Sequence, residues 1–327
     1  MKKIAIVIPT YNEEGNVNAI YDRVTDIMRT KLARYDYSIV YIDNFSADAT
    51  RTIIENLATK DQHVSAIFNA RNFGFVRSTF YGLVQPDADC TFMIFADMQD
   101  PPELLPEFVE KWENGYKVIV GVKRNSRENP LMFALRTVYY KLIEKISDTE
   151  QIEHFNGYGL YDRSFIEVIR KLDDPLPYLK GIVSELGFRR TEVYYDQEVR
   201  KEGKSNFDLF KLYDVAMIGI TCYSKVLLRA ATFVGGLIGV CSLILTLVVL
   251  IKKLVLWDSY AVGMAALTCG VFFLGAVILF FLGILGEYVL NINSRILHRP
   301  LVIEEKRVNF TDSQQEMKKP NNEKVTE

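Results

Sequence analysis

Residues 3–14 read KIAIVIPTYNEE, a run of β-branched and other apolar residues that leads through Pro9 into polar residues. Apolar residues then recur with helical spacing, at Val17, Ile20, Tyr21, Val24 and Ile27. This pattern predicts a buried strand, a loop and a helix, in that order.

The alternation of strand and helix continues along the chain. Further strands are predicted over residues 37–42, 64–68, 90–95, 117–122 and 192–195, and helices over residues 47–58, 73–84, 102–112, 131–146 and 164–172. Such alternation predicts an α/β fold with a mostly parallel, doubly wound sheet. Ligands bind beyond the carboxyl ends of the strands in these sheets, so we expect four loops to converge on one site. They begin at Pro9, Asp43, Asn69 and Ala96.

Two uncharged stretches, residues 231–251 and 259–286, dominate the C-terminal third. A helix over the first would be roughly 31 Å long, enough to cross a hydrocarbon core of about 30 Å. We predict two transmembrane helices, at about 231–251 and 261–286, joined as a hairpin within residues 230–290. The amphipathic pattern in residues 207–229 predicts a helix on the membrane surface, with a core helix of the soluble domain as the alternative.

The charge pattern predicts how the chain is oriented in a cytoplasmic (inner) membrane. The apolar run at the N-terminus is too short for a signal peptide, so residues 1–206 are expected in the cytosol. Lysines and arginines flank the outer ends of the predicted hairpin, which favours the cytosolic side for both. The tail, residues 291–327, is then cytosolic too, and its charged part from Glu304 onward is predicted to be disordered.

Composition excludes several classes of partner. The net charge of −2 in 327 residues gives no field that would favour nucleic acid. The locally basic run 189–204 suits either an anionic lipid surface or a solvated face. The four cysteines have no spacing typical of a zinc site or a disulfide framework; they are Cys90, Cys222, Cys241 and Cys269.

The loops carry strings that resemble those of family 2 inverting glycosyltransferases of GT-A fold. The strings are IPTYNEE at 8–14, YIDNFS at 41–46, RNFG at 71–74 and ADMQDPPE at 96–103. The last is similar to the branch that acts on dolichyl and polyprenyl phosphates and includes bactoprenol glucosyltransferases. ELGF at 185–188, RKEGKS at 200–205 and GILGEY at 283–288 extend the resemblance to about residue 303.

The resemblance implies a Rossmann-like GT-A domain that moves a sugar, with inversion, from a nucleotide sugar to a polyprenyl (undecaprenyl) phosphate at the cytoplasmic membrane face. The sugar-lipid would serve cell-envelope glycan modification, with a flippase as a partner. It also implies Mg²⁺ or Mn²⁺ held by Asp97 and Gln99. The nucleotide-sugar residues that it implies are Pro9, Tyr11, Glu13, Asp43, Arg71 and Asp97.

The residue types fit this chemistry. A departing diphosphate needs positive charge, most simply a divalent cation held by carboxylate oxygen, and Asp97 at a strand end is the natural ligand. Its alternative role is a helix cap. Asp43 can accept a hydrogen bond from a base, although an Asp after a strand is also a common turn residue. Tyr11 offers an aromatic face, and Glu13 an acceptor for ribose hydroxyls.

A polyprenyl phosphate has a second pKa near about 6, so it is mostly a dianion at neutral pH and needs cationic positioning more than a base. The candidates follow the fifth predicted strand or precede the interfacial segment: Lys123, Arg124, Arg127, Arg200 and Ser205. Each cation could equally serve as an exposed surface charge. We predict that Asp97 and Arg127 act in catalysis.

The chain departs from the family pattern at three places. Phe95 replaces the first acidic residue of the metal loop, Asn44-Phe45 replaces Asp-Gly, and residues 157–160 read GYGL instead of Asp-Phe-Arg-Leu. We interpret these changes as an altered donor preference. A degenerate membrane scaffold of the same fold is the alternative.

Other classes of protein are less favoured. A processive polysaccharide synthase would have more spans and a Gln-x-x-Arg-Trp motif, where this chain reads QEVRK at 197–201. A dinucleotide-binding oxidoreductase is excluded because no G-x-G-x-x-G loop follows the first strand. Glycines in both predicted spans allow helices to pack within one chain or in a homo-oligomer.

Overall fold

The computed structural model describes residues 1–125, 155–172, 174–175, 177–197, 264–296 and 299–310, with a few isolated positions besides. Several predictions lie outside the described residues: the helix over 131–146, the interfacial segment 207–229, all but single positions of the span 231–251, the tail 311–327, and Arg127, Arg200 and Ser205. The chain divides into two compact units. One comprises Met1–Tyr140, Glu150–Asp208 and His298–Glu327, and the other Lys141–Thr149 and Leu209–Leu297.

The first unit is built on one sheet. The strands described in it are β1 (Lys3–Thr10), β2 (Asp36–Asp43), β3 (Val64–Asn69), β4 (Cys90–Met93), β5 (Val118–Asn125), β6 (Gly159–Asp162), β7 (Arg190–Asp196) and β8 (Glu304–Val308). Their order in the sheet is β7-β5-β6-β4-β1-β2-β3-β8. The helices are α1 (Val17–Thr30), α2 (Thr50–Lys60), α3 (Phe75–Leu83), α4 (Leu105–Glu113) after a 3₁₀ turn at Pro102–Leu104, α5 (Arg163–Arg170) and α6 (Leu179–Glu185).

The sheet is mixed but mostly parallel. β1 pairs in parallel with β2 and β4, β2 with β3, and β5 with β7, whereas β6 and β8 pair antiparallel to their neighbours. The predicted α/β class is therefore confirmed, and each predicted strand and helix of the described segments has a counterpart within a few residues. The strands β6 and β8 were not predicted.

The expectation that disorder begins at Glu304 is wrong for residues 304–310. Glu304–Val308 forms β8, which adds antiparallel to β3 at one end of the sheet. The open edge of β3 supplies backbone partners, and a strand rich in charge suits an edge position. Residues 304–308 are thus part of the sheet.

Both faces of the sheet are covered. Ile4 through Ile8 of β1 are fully buried, as expected for a central parallel strand between two helical layers. The apolar face of α1, which includes Ile20 and Val24, packs into the same core. Full burial of one such side chain contributes about 1.5–3 kcal/mol, so Ile20→Ala is expected to cost about 2–5 kcal/mol.

The second unit contains α7 (Met264–Ile296), which overlaps the second predicted span. One face of α7 is a stripe of exposed apolar side chains at spacings of three and four residues: Leu267, Val271, Leu274, Ile278, Leu282, Leu285, Val289, Ile292 and Ile296. Among the described residues, no helix has the length and hydropathy together that a membrane crossing requires. The predicted hairpin stays a prediction.

Candidate functional site

The register of the central strands brings three site loops to one edge of the sheet. Thr10 of β1 pairs with Asp43 of β2, and Asp43 pairs with Phe68 of β3, so the three strands end at the same level. The backbone N–H of Asn44 donates to the carbonyl of Thr10 at 3.0 Å. The convergence expected from parallel strands is therefore present for these loops.

Asn12 joins the loop after β1 to the loop after β2. Its backbone N–H donates to Ser46 Oγ at 2.9 Å, and its side-chain oxygen accepts from the Ala47 N–H at 2.8 Å. The neighbouring Glu13 is buried, and its carboxylate accepts from Asn16 at 2.7 Å. The loops after β1 and β2, both predicted to hold the nucleotide, are thus joined by hydrogen bonds. The bond from Asn16 fixes the position of the Glu13 carboxylate. Pro9 and Tyr11 in the same segment are half-buried.

Asp43 is fully buried at the end of β2. Its carboxylate accepts from the backbone N–H of Ser46 at 3.1 Å and from the Ser46 hydroxyl, and Arg51 Nε lies 3.4 Å away. Burial raises the pKa of Asp43, and the bonds from Ser46 and the charge of Arg51 oppose that rise. The Asp43 carboxylate is therefore fixed by the turn at Ser46 and by Arg51 of α2. The contact with Arg51 was not predicted from the sequence.

A hydrogen-bond network of the side-chain amides of Asn44, Asn69 and Asn72, here called the amide ladder, joins the β2 loop to the β3 loop. Asn44 Oδ1 accepts from the Phe73 N–H at 3.0 Å and from Asn69 Nδ2 at 3.1 Å, while Asn44 Nδ2 donates to Asn72 Oδ1 at 3.0 Å. A carboxylate at position 44 could accept but not donate. The donated bond to Asn72 therefore requires an amide at position 44.

Asp97 and Gln99 lie in the loop after β4 and are half-buried. The Gln99 backbone N–H donates to Asp97 Oδ1 at 3.2 Å, and Met98 between them has a left-handed φ of 60°. Their oxygen donors suit a hard cation such as Mg²⁺, which keeps several waters and takes few protein ligands. Within the described residues, no cluster of three or more His, Cys, Asp or Glu side chains could hold a metal.

The loops after β1, β2 and β4 each place a non-glycine residue in the left-handed region. Asn12 has φ 56°, Phe45 φ 68° and Met98 φ 60°. Each such residue costs of order 1–3 kcal/mol and persists where the surroundings fix it, often at functional sites. The strain supports a functional reading of the three loops at this edge.

The loop after β4 ends at Asp100, whose carboxylate is buried. It accepts from Asn156 Nδ2 at 2.9 Å and from the Tyr195 hydroxyl, and Lys123 Nζ lies 4.0 Å away. Lys123, a predicted phosphate ligand, is 15% exposed and faces this carboxylate. This network was not predicted, because its members come from four segments that are far apart in the sequence.

Two predicted arginines are on the surface. Arg124 is exposed and its guanidinium lies 5.1 Å from the centre of the Tyr194 ring. Arg71 is exposed and lies 4.2 Å from the centre of the Phe73 ring.

Two of the three departures from the family pattern, at Phe95 and at residues 157–160, lie in apolar packing. Phe95 is buried, and its ring centre lies 5.4 Å from that of Phe75 at the start of α3. Tyr158 is fully buried against Phe92 and its neighbours, and a Cβ added at Gly121 would overlap its ring. Phe95, which replaces an acidic residue of the family pattern, and Tyr158 are therefore both part of the core.

Comparison with known proteins identifies the family of the chain. Residues 5–170 match Glycosyl transferase family 2. The bactoprenol glucosyl transferase of Shigella phage SfV is 34% identical over 92% of this chain and 97% of its own length. A prophage bactoprenol glucosyl transferase homolog of Escherichia coli (strain K12) is 31% identical over 88% of this chain and 93% of its length. The uncharacterized glycosyltransferase YkcC of Bacillus subtilis (strain 168) is 30% identical over 92% and 93%. The resemblance noted from the motifs is confirmed, and the chain belongs to glycosyl transferase family 2.

Proposed function

We propose that this protein transfers a sugar, with inversion, from a nucleotide sugar to a polyprenyl phosphate at the cytoplasmic face of a membrane. The product is a polyprenyl-phosphate-linked monosaccharide for cell-envelope glycan modification. The observation that carries the proposal is the extent of the similarity to the SfV protein, 92% of this chain. It reaches beyond the family match at residues 5–170 and so includes part of the apolar C-terminal third.

The nucleotide sugar is assigned to the edge where β1, β2 and β4 end. Asp43 and Glu13 are carboxylates already fixed by hydrogen bonds, so they accept from a base or a ribose without reorganising. Tyr11, next to Glu13, is partly exposed and offers its ring to the base. Asp97 and Gln99 would hold a divalent cation, which neutralises the diphosphate as it leaves.

The acceptor needs no strong base, because its phosphate is already a nucleophilic dianion. One phosphate oxygen attacks the anomeric carbon of the sugar from the side opposite the diphosphate. The new carbon–oxygen bond forms as the bond to the nucleotide diphosphate breaks, and this single displacement inverts the configuration. Lys123 is the described cation best placed to orient the incoming phosphate, because Asp100 and β5 restrict its position.

The membrane assignment rests on the apolar C-terminal third. Exposing the apolar stripe of α7 to water costs free energy. Large exposed apolar patches mark surfaces that contact lipid or protein. A lipid-linked acceptor also presents its phosphate at the headgroup layer. These features support a cytoplasmic-membrane location for the whole chain.

The test is to incubate the full-length protein in detergent with undecaprenyl phosphate, Mg²⁺ or Mn²⁺ and a panel of radiolabelled sugar nucleotides. Label that partitions into the organic phase is then counted. Asp97→Asn is assayed in parallel, with Asp87→Asn as the matched control, because Asp87 is exposed and pairs with Arg163 on α5. We expect label from one donor, lost at least about 100-fold in Asp97→Asn and retained in Asp87→Asn.

No label from any donor, with the unfolding transition of the protein intact, would contradict the proposal and favour a scaffold. Equal label in wild type and Asp97→Asn would leave the transfer standing but remove Asp97 from it.

A further inference from the structure

Three arginines crowd together beside the start of α3. The guanidinium carbons of Arg71 and Arg77 lie 4.2 and 5.9 Å from the centre of the same Phe73 ring. Arg77 Nη2 donates to the Pro300 carbonyl at 2.7 Å, which brings the adjacent Arg299 to this place. Arg77 is close enough to feel the charges of Arg71 and Arg299, and like charges repel one another.

The cluster has no compensating acid in the part of the chain that the structure describes. None of the three guanidinium groups has a carboxylate within 4.0 Å there, and the hydrogen bonds of Arg71 and Arg77 go to backbone carbonyls. Arg77 Nε is buried and has no acceptor among the described residues. Burial, together with the charges of Arg71 and Arg299, lowers the pKa of Arg77. Arg34 shows the ordinary arrangement, since it pairs with Glu113 at 2.6 Å.

The helix behind the cluster adds to its positive potential. α3 begins at Phe75, directly after Gly74 with its left-handed φ of 86°, and no side chain caps its first turn. The N-terminus of a helix carries partial positive charge and favours anions. The three guanidinium groups, which have no carboxylate partner among the described residues, and this helix end therefore all favour a polyvalent anion.

We propose that Arg77 and Arg299, together with Arg71, which the family resemblance assigns to the nucleotide sugar, form a binding site for a phosphate group. Guanidinium groups match phosphate oxygens with paired hydrogen bonds, and a phosphate would supply the acceptor that Arg77 Nε lacks. Two sources share this chemistry, an anionic lipid headgroup and a soluble phosphate. Arg299 follows the last residue of α7, Ile296, by three positions, which suits a headgroup.

The test titrates the full-length protein in detergent with dihexanoyl phosphatidylglycerol, with the phosphatidylcholine of the same chain length, and with inorganic phosphate, by calorimetry. No sugar donor is present, so the result does not depend on the proposed transfer. Arg299→Gln removes an exposed cation of the cluster, and Arg77→Gln removes the half-buried one. Arg34→Gln is the control, because it removes the same charge from a paired arginine.

We expect phosphatidylglycerol or inorganic phosphate to bind and phosphatidylcholine to bind at least about tenfold more weakly. Either substitution in the cluster should weaken binding by about tenfold or more, Arg34→Gln by less than about twofold, and Arg299→Lys should retain most of the affinity. The ligand that responds identifies the source. If Arg77→Gln lowers the unfolding midpoint, its loss of binding could reflect damage to the fold. The exposed Arg299→Gln variant then tests the proposal. Absence of binding by both phosphates, or equal losses in Arg299→Gln and Arg34→Gln, would overturn the proposal.

Discussion

The Tyr195 hydroxyl donates a hydrogen bond to the Asp100 carboxylate across 95 residues of sequence. Both side chains are buried. Burial, and then the charge of Asp100, raises the pKa of Tyr195, so the phenol remains a donor at physiological pH. This bond fixes the loop that carries Asp97 to the far strand of the sheet.

Tyr195→Phe should lower the free energy of unfolding by about 1–3 kcal/mol, because the buried Asp100 carboxylate loses the hydrogen bond that the Tyr195 hydroxyl donates to it. Activity should fall with it, since the Asp97 loop loses an anchor. Tyr194→Phe is the matched control: Tyr194 is 50% exposed and bonds only to Glu192 among the described contacts, so a change below about 0.5 kcal/mol is expected. Denaturant unfolding of both variants is the measurement. Equal effects would remove the special role of the Tyr195 bond.

Asn44→Asp brings back the acid typical of the family but should be destabilising here. The carboxylate cannot donate to Asn72 Oδ1, which now lies 3.0 Å from Asn44 Nδ2, and two oxygens would face each other. We expect a loss of about 1–3 kcal/mol and weaker binding of the donor, measured by thermal unfolding and by donor titration. Asn18→Asp, an exposed position on α1, should leave both quantities nearly unchanged. A stable, fully active Asn44→Asp protein would refute the amide-ladder explanation.

Asp162 should make folding stability depend on pH in the acid range. Burial alone would raise its pKa, but hydrogen bonds from Ser164 and from Trp112 Nε1, at 2.7 Å, outweigh this and lower the pKa. Its ionised form therefore stabilises the fold above the unfolded pKa of about 3.9, and this contribution is lost as the pH falls through the folded pKa.

Asp162→Asn should consequently cost about 1–3 kcal/mol at pH 7, and the difference from wild type should shrink as the pH falls below about 4. Circular dichroism during denaturant unfolding at pH 7 and pH 3 checks this. Asp26→Asn, at an exposed position on α1, provides the comparison and should show a small, pH-independent effect. A full-size difference that persists at pH 3 would show that ionisation is not its cause.

Neighbouring glutamates of β8 should respond very differently to the same substitution. The Glu304 side chain is 4% exposed and accepts from Arg307 at 2.6 Å and from Tyr81 at 2.5 Å. Glu304→Gln breaks a buried charge pair and should cost about 2 kcal/mol or more. The Glu305 side chain is 52% exposed and pairs with Arg51, so Glu305→Gln should cost less than about 1 kcal/mol. The unfolding midpoints of the two variants test this difference. Similar midpoints would show that the buried contacts of Glu304 contribute no more to stability than the exposed pair of Glu305.

The first half of the fold could be predicted because its elements are apolar runs with clear periods. β1 and α1 each bury a continuous apolar face, and the parallel order then implied which loops meet. β6 and β8 gave no such signal. β6 has only four residues, Gly159–Asp162, and β8 is mostly charged, so its pairing comes from the edge of β3 and not from its own pattern.

The site was predictable in its positions but not in its contacts. Asp43 and Asp97 follow strands, which is visible in the sequence. That Arg51 holds Asp43, or that Tyr195 holds Asp100, depends on tertiary pairing over long separations, for which a single sequence has no local signal. The same applies to the meeting of Arg77 with the segment around Pro300.

The pairing of β8 with β3 also determines when this edge of the sheet can be covered during synthesis. Ser65 bonds to the carbonyl of Asn309 across 244 residues, so β8 cannot join β3 until the ribosome has passed this segment. Meanwhile β3 presents an open edge to other nascent chains, which is a recognised route to misassembly. The α/β unit thus completes its sheet only after the apolar third has been synthesised, and a gene fragment that ends before residue 304 leaves that edge open permanently.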